Sequence, residues 1–143
     1  MIKELKALSQ QMHVLYVEDD KTIQKQMEVL LNKFFATVTV ANDGTMGLRQ
    51  YQQNINAYDI VLSDISMPMM NGLDMARAIK EINPEQMILL ISAHNDSVNL
   101  QKASALGITS DYFIIKPIDK DRLLKALYQA VQKVQRAKKV QWP

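Results

Sequence analysis

Residues that could carry chemistry stand at the ends of three apolar runs. Glu18, Asp19 and Asp20 follow the first run, Asp64 follows another in the middle of the chain, and Lys116 follows the last. Two carboxylates about 4 Å apart repel by roughly 4 kcal/mol at an effective dielectric constant near 20, so a cation is needed if these groups meet. Oxygen ligands of this kind suit Mg²⁺, which usually shares its coordination sphere with a phosphate.

Asp64 is the best-placed nucleophile in this set. A carboxylate held beside Mg²⁺ and a lysine attacks a phosphoryl group and becomes an aspartyl phosphate, which is a form of covalent catalysis. Phosphoryl transfer depends mainly on positioning and charge stabilisation, so few residues suffice. Ser92 ends another apolar run, where its hydroxyl would donate a hydrogen bond to a phosphate oxygen.

The predicted strands and helices that carry these residues alternate along the chain. Each apolar run is followed by a segment with helical spacing, and turn residues separate the units. Parallel strands joined by right-handed helical crossovers give an α/β fold with helices on both faces of the sheet, and ligands bind at the carboxyl ends of its strands. The predicted strands are 12–17, 37–40, 59–63, 87–91 and 112–115, and the clearest helices are 21–34 and 119–138.

Several short motifs close these strands in a fixed order. They are Val17-Glu18-Asp19-Asp20, Asp64-Ile65-Ser66-Met67-Pro68, Asn71-Gly72, Ser92-Ala93 and Lys116-Pro117. In this arrangement the chain resembles the receiver domain of two-component response regulators, and the resemblance spans almost the whole chain. It implies a flavodoxin-like, doubly wound sheet of five parallel strands in the order 2-1-3-4-5, with five helices.

The resemblance also implies a role for each residue of the site. Asp64 would be the phosphoacceptor and a metal ligand, and Lys116 would pair with the phosphate. Asp19 would bind Mg²⁺ directly, Glu18 would act through water, and the backbone carbonyl of Ser66 would complete the metal site. Asp20 would lie outside it, at the start of the following helix.

A switch is implied as well. Ser92 would be the switching hydroxyl, coupled to an aromatic residue on the fifth strand, and the spacing back from Lys116 selects Phe113. Tyr112 is also aromatic and the segment from Gly107 to Lys116 is longer than usual in the family, so both aromatic residues stay open as candidates. Phosphorylation would remodel the face built from the fourth helix, fifth strand and fifth helix, for output or dimerisation.

Length and composition set the limits of this interpretation. The chain has 143 residues, which suits one domain, and lacks cysteine, which excludes disulfides and thiolate metal sites. We expect a lead-in at 1–11, the receiver domain at 12–139 and a tail at 140–143. The N-terminal charges do not fit a signal peptide, which favours the cytoplasm.

The resemblance implies a histidine kinase as phosphoryl donor. An output domain in a longer native chain, a downstream protein and a second copy in a homodimer are further expected partners. Neither a membrane nor nucleic acid is expected to bind this domain. The chain is either a stand-alone receiver or a fragment.

Two other functions are alternatives to the switch. A phosphatase of the haloacid-dehalogenase kind also uses a strand-end aspartate, but it needs an acid-base aspartate two residues further on, where this chain has Ser66. A pseudo-receiver that binds partners without phosphorylation would not need the complete acidic, Asp, Ser and Lys set. His13 and His94 are given no metal or acid-base role, although His94 would affect how long the phosphoryl group lasts.

Overall fold

A single parallel sheet forms the centre of the fold. The computed structural model describes residues 1–93 and 97–141. The five strands lie in the order β2-β1-β3-β4-β5, and the predicted α/β class and strand order are therefore confirmed. The strands are β1 (His13–Val17), β2 (Thr37–Ala41), β3 (Ile60–Asp64), β4 (Met87–Ser92) and β5 (Phe113–Ile115).

Six α-helices surround the sheet in the described residues, so the expected number of five was wrong. The additional helix lies in the N-terminal lead-in. A turn of 3₁₀-helix at Ser110–Tyr112 takes up the long segment before β5. The helices are α1 (Ile2–Ser9), α2 (Lys21–Asn32), α3 (Gly44–Gln53), α4 (Gly72–Ile82), α5 (Ser97–Ala105) and α6 (Lys120–Gln141).

The lead-in is helical because its apolar residues have a surface to cover. Leu5 is fully buried in the core that includes α6 residues. The Ser9 hydroxyl oxygen lies within hydrogen-bond distance of two carbonyl oxygens, 2.7 Å from that of Leu5 and 2.9 Å from that of Phe34. These contacts tie α1 to the segment after α2, and α1 therefore belongs to the folded body of the protein.

Apolar side chains fill both faces of the sheet, as a parallel sheet requires. One layer lies under α1, α2 and α6 and includes Tyr16 and Leu62, while the other lies under α3, α4 and α5 and includes Leu15 and Val61. Successive strand residues alternate between these layers. The face expected to respond to phosphorylation corresponds to α5, β5 and α6.

None of the described helices combines the length and apolarity that a membrane span requires. His94 and residues 142–143, which end the expected tail, lie outside the described residues.

Candidate functional site

The carboxyl edge of the sheet brings three strand ends together. β1 and β3 are neighbours with Val17 opposite Ser63, so the next residues, Glu18 and Asp64, emerge side by side. Lys116 follows β5, and its backbone N–H donates to the carbonyl of Ser92 at 2.8 Å. The expected convergence of acidic and basic groups is found at this edge.

Glu18, Asp19 and Asp64 form an acidic cluster. One carboxylate oxygen from each lies within 4.8 Å of the others. Glu18 and Asp64 are only 2% and 3% exposed, whereas Asp19 is exposed. Because like charges at this separation repel one another, a cation bound between them would stabilise the cluster.

Lys116 neutralises one side of Asp64. Its Nζ lies 3.1 Å from Oδ2 of Asp64. The other oxygen, Oδ1, is buried and has no hydrogen-bond partner among the described residues. A buried carboxylate oxygen without a partner is costly, so this atom is suited to a ligand that carries positive charge.

The pKa of Glu18 is raised from its ordinary value of 4.5 to about 7. Burial is the main cause, and the nearby Asp64 charge and a hydrogen bond with Asp19 raise this pKa further. The backbone N–H of Asp20, which donates to Oε2 at 3.0 Å, and the Lys116 charge oppose the increase. Burial and the neighbouring Asp64 charge thus favour the protonated form of Glu18, and a cation bound at the cluster would favour its ionised form.

These residues fit a magnesium ion. Oxygen is the only donor type in the cluster, the exposed Asp19 gives access from solvent, and Asp64 Oδ1 lacks a protein partner among the residues described. Mg²⁺ is typically held by one or two carboxylates and keeps several waters. Besides these carboxylates, a backbone carbonyl would be the only further protein ligand, and water would fill the remaining positions.

Side chains that the sequence analysis did not select support the β1 end of the site. Gln24 is buried on α2, and its Nε2 donates to the carbonyl of Glu18 at 2.8 Å and to Oδ1 of Asn42 at 3.0 Å. Gln24 therefore fixes the backbone at Glu18. A polar residue on the buried stripe of α2 was the sequence signal for this role.

Asp20 caps α2, as predicted, and takes no part in the acidic cluster. Its Oδ1 accepts hydrogen bonds from the backbone N–H groups of Thr22 and Ile23, both at 3.0 Å. This is the usual arrangement at a helix N-terminus, where the first N–H groups lack partners within the helix.

The loop between β3 and α4 depends on a glycine. A Cβ atom at Gly72 would collide with the carbonyl oxygen of Asp64. Asn71 caps α4 by accepting from the N–H of Asp74 at 2.9 Å. Close packing of this turn therefore holds Asp64 in place, with Ser66 exposed at its start.

A cavity of about 410 Å³ opens at the same edge. Ile65, Ser66 and Ser92 are among the residues that line it. Ser92 is buried at the end of β4 and pairs with Ile115 of β5. The cavity gives room for a small group beside Ile65, the residue that follows Asp64.

The two aromatic candidates occupy different environments. Phe113 is the first residue of β5, pairs with Leu90 of β4 and is 4% exposed. Tyr112 precedes the strand in the 3₁₀ turn, and Lys133 Nζ lies 5.9 Å from the centre of its ring. Phe113 is thus the strand residue of the pair.

Comparison with known proteins identifies the family. The model of the response regulator receiver domain matches residues 14–128. Transcriptional regulatory protein GlrR of Escherichia coli (strain K12) is 30% identical over 130 residues, which are 91% of this chain and 28% of that protein. The uncharacterized transcriptional regulatory protein YcbL of Bacillus subtilis (strain 168) is 34% identical over 119 residues, 83% of this chain and 50% of that protein.

A solved structure agrees with these matches. The response regulator receiver domain protein from Clostridium thermocellum superposes with a TM-score of 0.77 and 28% identity, over 88% of this chain and 98% of that one. The present chain spans half or less of the length of the two regulators, 50% of one and 28% of the other. Because the family model matches residues 14–128, the chain belongs to the response regulator receiver domains of two-component signal transduction.

Proposed function

We propose that Asp64 accepts a phosphoryl group from a histidine kinase in a Mg²⁺-dependent reaction. The observation that supports this most directly is the asymmetry of the Asp64 carboxylate. Oδ2 is 3.1 Å from Lys116 Nζ, while Oδ1 is buried without a hydrogen-bond partner in the described part of the chain. One oxygen is therefore held beside a positive charge, and the other is left for a ligand from outside the described residues.

The metal ligands in this proposal come from two strand ends and one loop. Asp19 and Asp64 would hold Mg²⁺ directly, Glu18 would act through water, and the backbone carbonyl of Ser66 would complete the protein ligands. When bound, the ion neutralises the acidic cluster and the charge that develops on the phosphoryl oxygens. The spacing of the three carboxylates, within 4.8 Å, supports this assignment.

In the transfer itself, an Asp64 oxygen attacks the phosphorus atom. A new P–O bond forms as the P–N bond of the donor phosphohistidine breaks, and the imidazole leaves with the electron pair. The Lys116 ammonium stabilises charge on the phosphoryl oxygens, because its position beside Asp64 requires no reorganisation. The adjoining cavity of about 410 Å³ has room for the transferred group.

The switch in this proposal runs through β4 and β5. The Ser92 hydroxyl would bond a phosphoryl oxygen, and Phe113 would respond from the neighbouring strand. Ser92 lies opposite Ile115, two residues beyond Phe113 in the same pairing of β4 with β5, so a shift of the Ser92 backbone is passed to β5. The α5, β5 and α6 face would then change its affinity for an output domain or a second copy.

The receiver domain that we propose spans 12–139, with α1 as a lead-in packed against its core and a tail that begins in the last turn of α6. The longer relatives support a native chain in which this domain controls a separate output domain. The domain itself would catalyse only its own phosphorylation and dephosphorylation.

Intact-protein mass spectrometry after treatment with acetyl phosphate and Mg²⁺ tests the phosphoacceptor. We expect an adduct in the wild type, none in Asp64→Asn, and none in the wild type when a chelator replaces Mg²⁺. Asp43→Asn is a matched control, because Asp43 caps α3 and asparagine caps a helix equally well. Equal labelling of Asp64→Asn and wild type would remove Asp64 from this role.

A further inference from the structure

The Tyr16 hydroxyl is a buried polar group that the proposed function does not use. Tyr16 lies on β1 and is 0% exposed. Its hydroxyl has no hydrogen-bond partner among the described residues. Among the described residues, Oδ1 of Asp64 is the only other buried side-chain oxygen or nitrogen without a hydrogen-bond partner.

Both unpartnered atoms belong to one region. Tyr16 is two residues before Glu18, and it pairs with Leu62, which is two residues before Asp64. Residues two apart on a strand point to the same face. Tyr16 therefore lies one step below Glu18 and Asp64 on the same face of the sheet.

The surroundings keep the hydroxyl protonated. Burial is the main reason why the pKa of Tyr16 is raised. The carboxylates of Glu18, Asp64 and Asp20 raise it further, and a side-chain interaction of the hydroxyl with Glu18 makes the smallest contribution. A protonated phenol donates a hydrogen bond, and a carboxylate accepts several. At neutral pH the Tyr16 hydroxyl is thus a donor that faces acidic groups.

An unpartnered hydroxyl is costly in the folded protein. A buried polar group without a partner loses its hydration and gains nothing in exchange, whereas phenylalanine would fill the same space without this loss. The hydroxyl is therefore better suited to a state of the site in which an acceptor reaches it.

We propose that Tyr16 is a positioning residue of the metal site, and that its hydroxyl donates a hydrogen bond to the Glu18 carboxylate when a divalent cation binds. This inference rests on the proposed function. Glu18 Oε2 already accepts from the backbone N–H of Asp20 at 3.0 Å. A second donor from the buried side fixes the orientation of the carboxylate towards the ion, as outer partners of metal ligands do.

The Tyr16→Phe variant tests the proposal by two measurements on the full chain. Isothermal titration with Mg²⁺ gives the affinity, and urea unfolding without metal gives the stability. Because hydrogen bonds to charged groups are worth more than neutral ones, we expect the dissociation constant for Mg²⁺ to rise by about 10-fold. The urea midpoint of the metal-free protein stays the same or rises, since the lost hydroxyl had no partner.

Tyr51→Phe is the matched control. Tyr51 is also 0% exposed, but its hydroxyl donates to Oε1 of Gln86 at 2.7 Å, away from the site. This variant should lower the metal-free urea midpoint and leave Mg²⁺ affinity unchanged. If the role of Tyr16 were purely structural, Tyr16→Phe would also lower the metal-free urea midpoint and leave Mg²⁺ affinity unchanged.

The outcomes separate this inference from the proposed function. Wild-type affinity in Tyr16→Phe overturns the positioning role alone, as does a loss of metal-free stability equal to that of Tyr51→Phe. Failure of the wild type to bind Mg²⁺ overturns the metal site and the positioning role together. Reduced affinity with unchanged or higher metal-free stability supports the proposal.

Discussion

Lys116 Nζ lies 3.1 Å from Oδ2 of Asp64, while Oδ1 of the same carboxylate is buried without a hydrogen-bond partner among the described residues. β4 lies between the strands that carry these two residues. The long side chain of Lys116 reaches across β4 to Asp64. The hydrogen bond from the Lys116 backbone N–H to the carbonyl of Ser92 fixes where the chain leaves β5. The ion pair therefore depends on the register of three strands.

The first prediction concerns this ion pair. Lys116→Ala should slow phosphorylation by acetyl phosphate roughly 100-fold, because removal of one preorganised charge from a transition state costs about 10²–10³ in rate. The rate is measured by mass spectrometry at saturating Mg²⁺. Lys3→Ala, which removes an exposed lysine on α1, should keep the wild-type rate. Equal rates in Lys116→Ala and wild type would contradict the role of Lys116.

The second prediction concerns pH. The pKa of Glu18 is raised from 4.5 to about 7, so the folded metal-free protein binds this proton more tightly than the unfolded chain does. The contribution of Glu18 to the free energy of unfolding is fully present below pH 4.5 and is lost as the pH rises through about 7. Mg²⁺ requires the ionised carboxylate, so its affinity should increase over the same range.

Thermal unfolding against pH, with and without Mg²⁺, checks this prediction. Metal-free wild type should lose stability relative to Glu18→Gln between pH 4.5 and about 7, because glutamine does not titrate. Glu81→Gln changes an exposed residue on α4 and should follow the wild type. Parallel curves for wild type and Glu18→Gln would rule out the raised pKa.

The architecture and the meeting of the strand ends followed from the sequence for a physical reason. Parallel strands place their carboxyl ends at one edge, so polar residues after buried strands meet there without any knowledge of their side-chain conformations. The meeting of Glu18, Asp64 and Lys116 at one edge of the sheet was predictable on this basis. Their roles in catalysis stay predictions.

Other features depend on contacts that no local pattern contains. The apolar face of the lead-in was visible, but the surface that covers Leu5 comes from α6, more than a hundred residues away, and the helix count was wrong for this reason. Gln24 is a polar residue on the buried stripe of α2, but the sequence does not show what it bonds, and Tyr16 looks like an ordinary strand residue. Only the assembled structure shows one bonded to the Glu18 backbone and the other without a partner among the described residues.

The third prediction compares two glycines. Gly72→Ala should destabilise the protein by about 1–3 kcal/mol, because its Cβ would collide with the carbonyl of Asp64 and the backbone must move. Gly107 has a φ of +84° and open space where a Cβ would lie, so Gly107→Ala should cost only about 1 kcal/mol of backbone strain. Urea unfolding measures both. Mg²⁺ affinity should fall in Gly72→Ala alone. An equal loss of Mg²⁺ affinity in both variants would contradict the role of the turn between β3 and α4.

The fourth prediction concerns Met69 in the turn after Asp64. Met69 has a φ of 69° and is 83% exposed, so its backbone carries strain that no burial of its side chain offsets. Met69→Asn should stabilise the protein by about 0.5–1 kcal/mol in urea unfolding, because asparagine adopts this conformation more readily. Met46→Asn, on α3, should give no such gain. A loss of stability in Met69→Asn would show that its exposed side chain makes a stabilising contact.

The last prediction tests whether α1 is part of the folded unit. Leu5 is fully buried against the core shared with α6, whereas Ile2 on the same helix is 55% exposed. Leu5→Ala should lower the free energy of unfolding by about 2–5 kcal/mol, since it removes buried methyl groups and leaves a cavity. Ile2→Ala should change it by less than about 0.5 kcal/mol. Urea unfolding followed by circular dichroism measures both, and a similar small effect of the two substitutions would mean that α1 does not contribute to the stability of the receiver core.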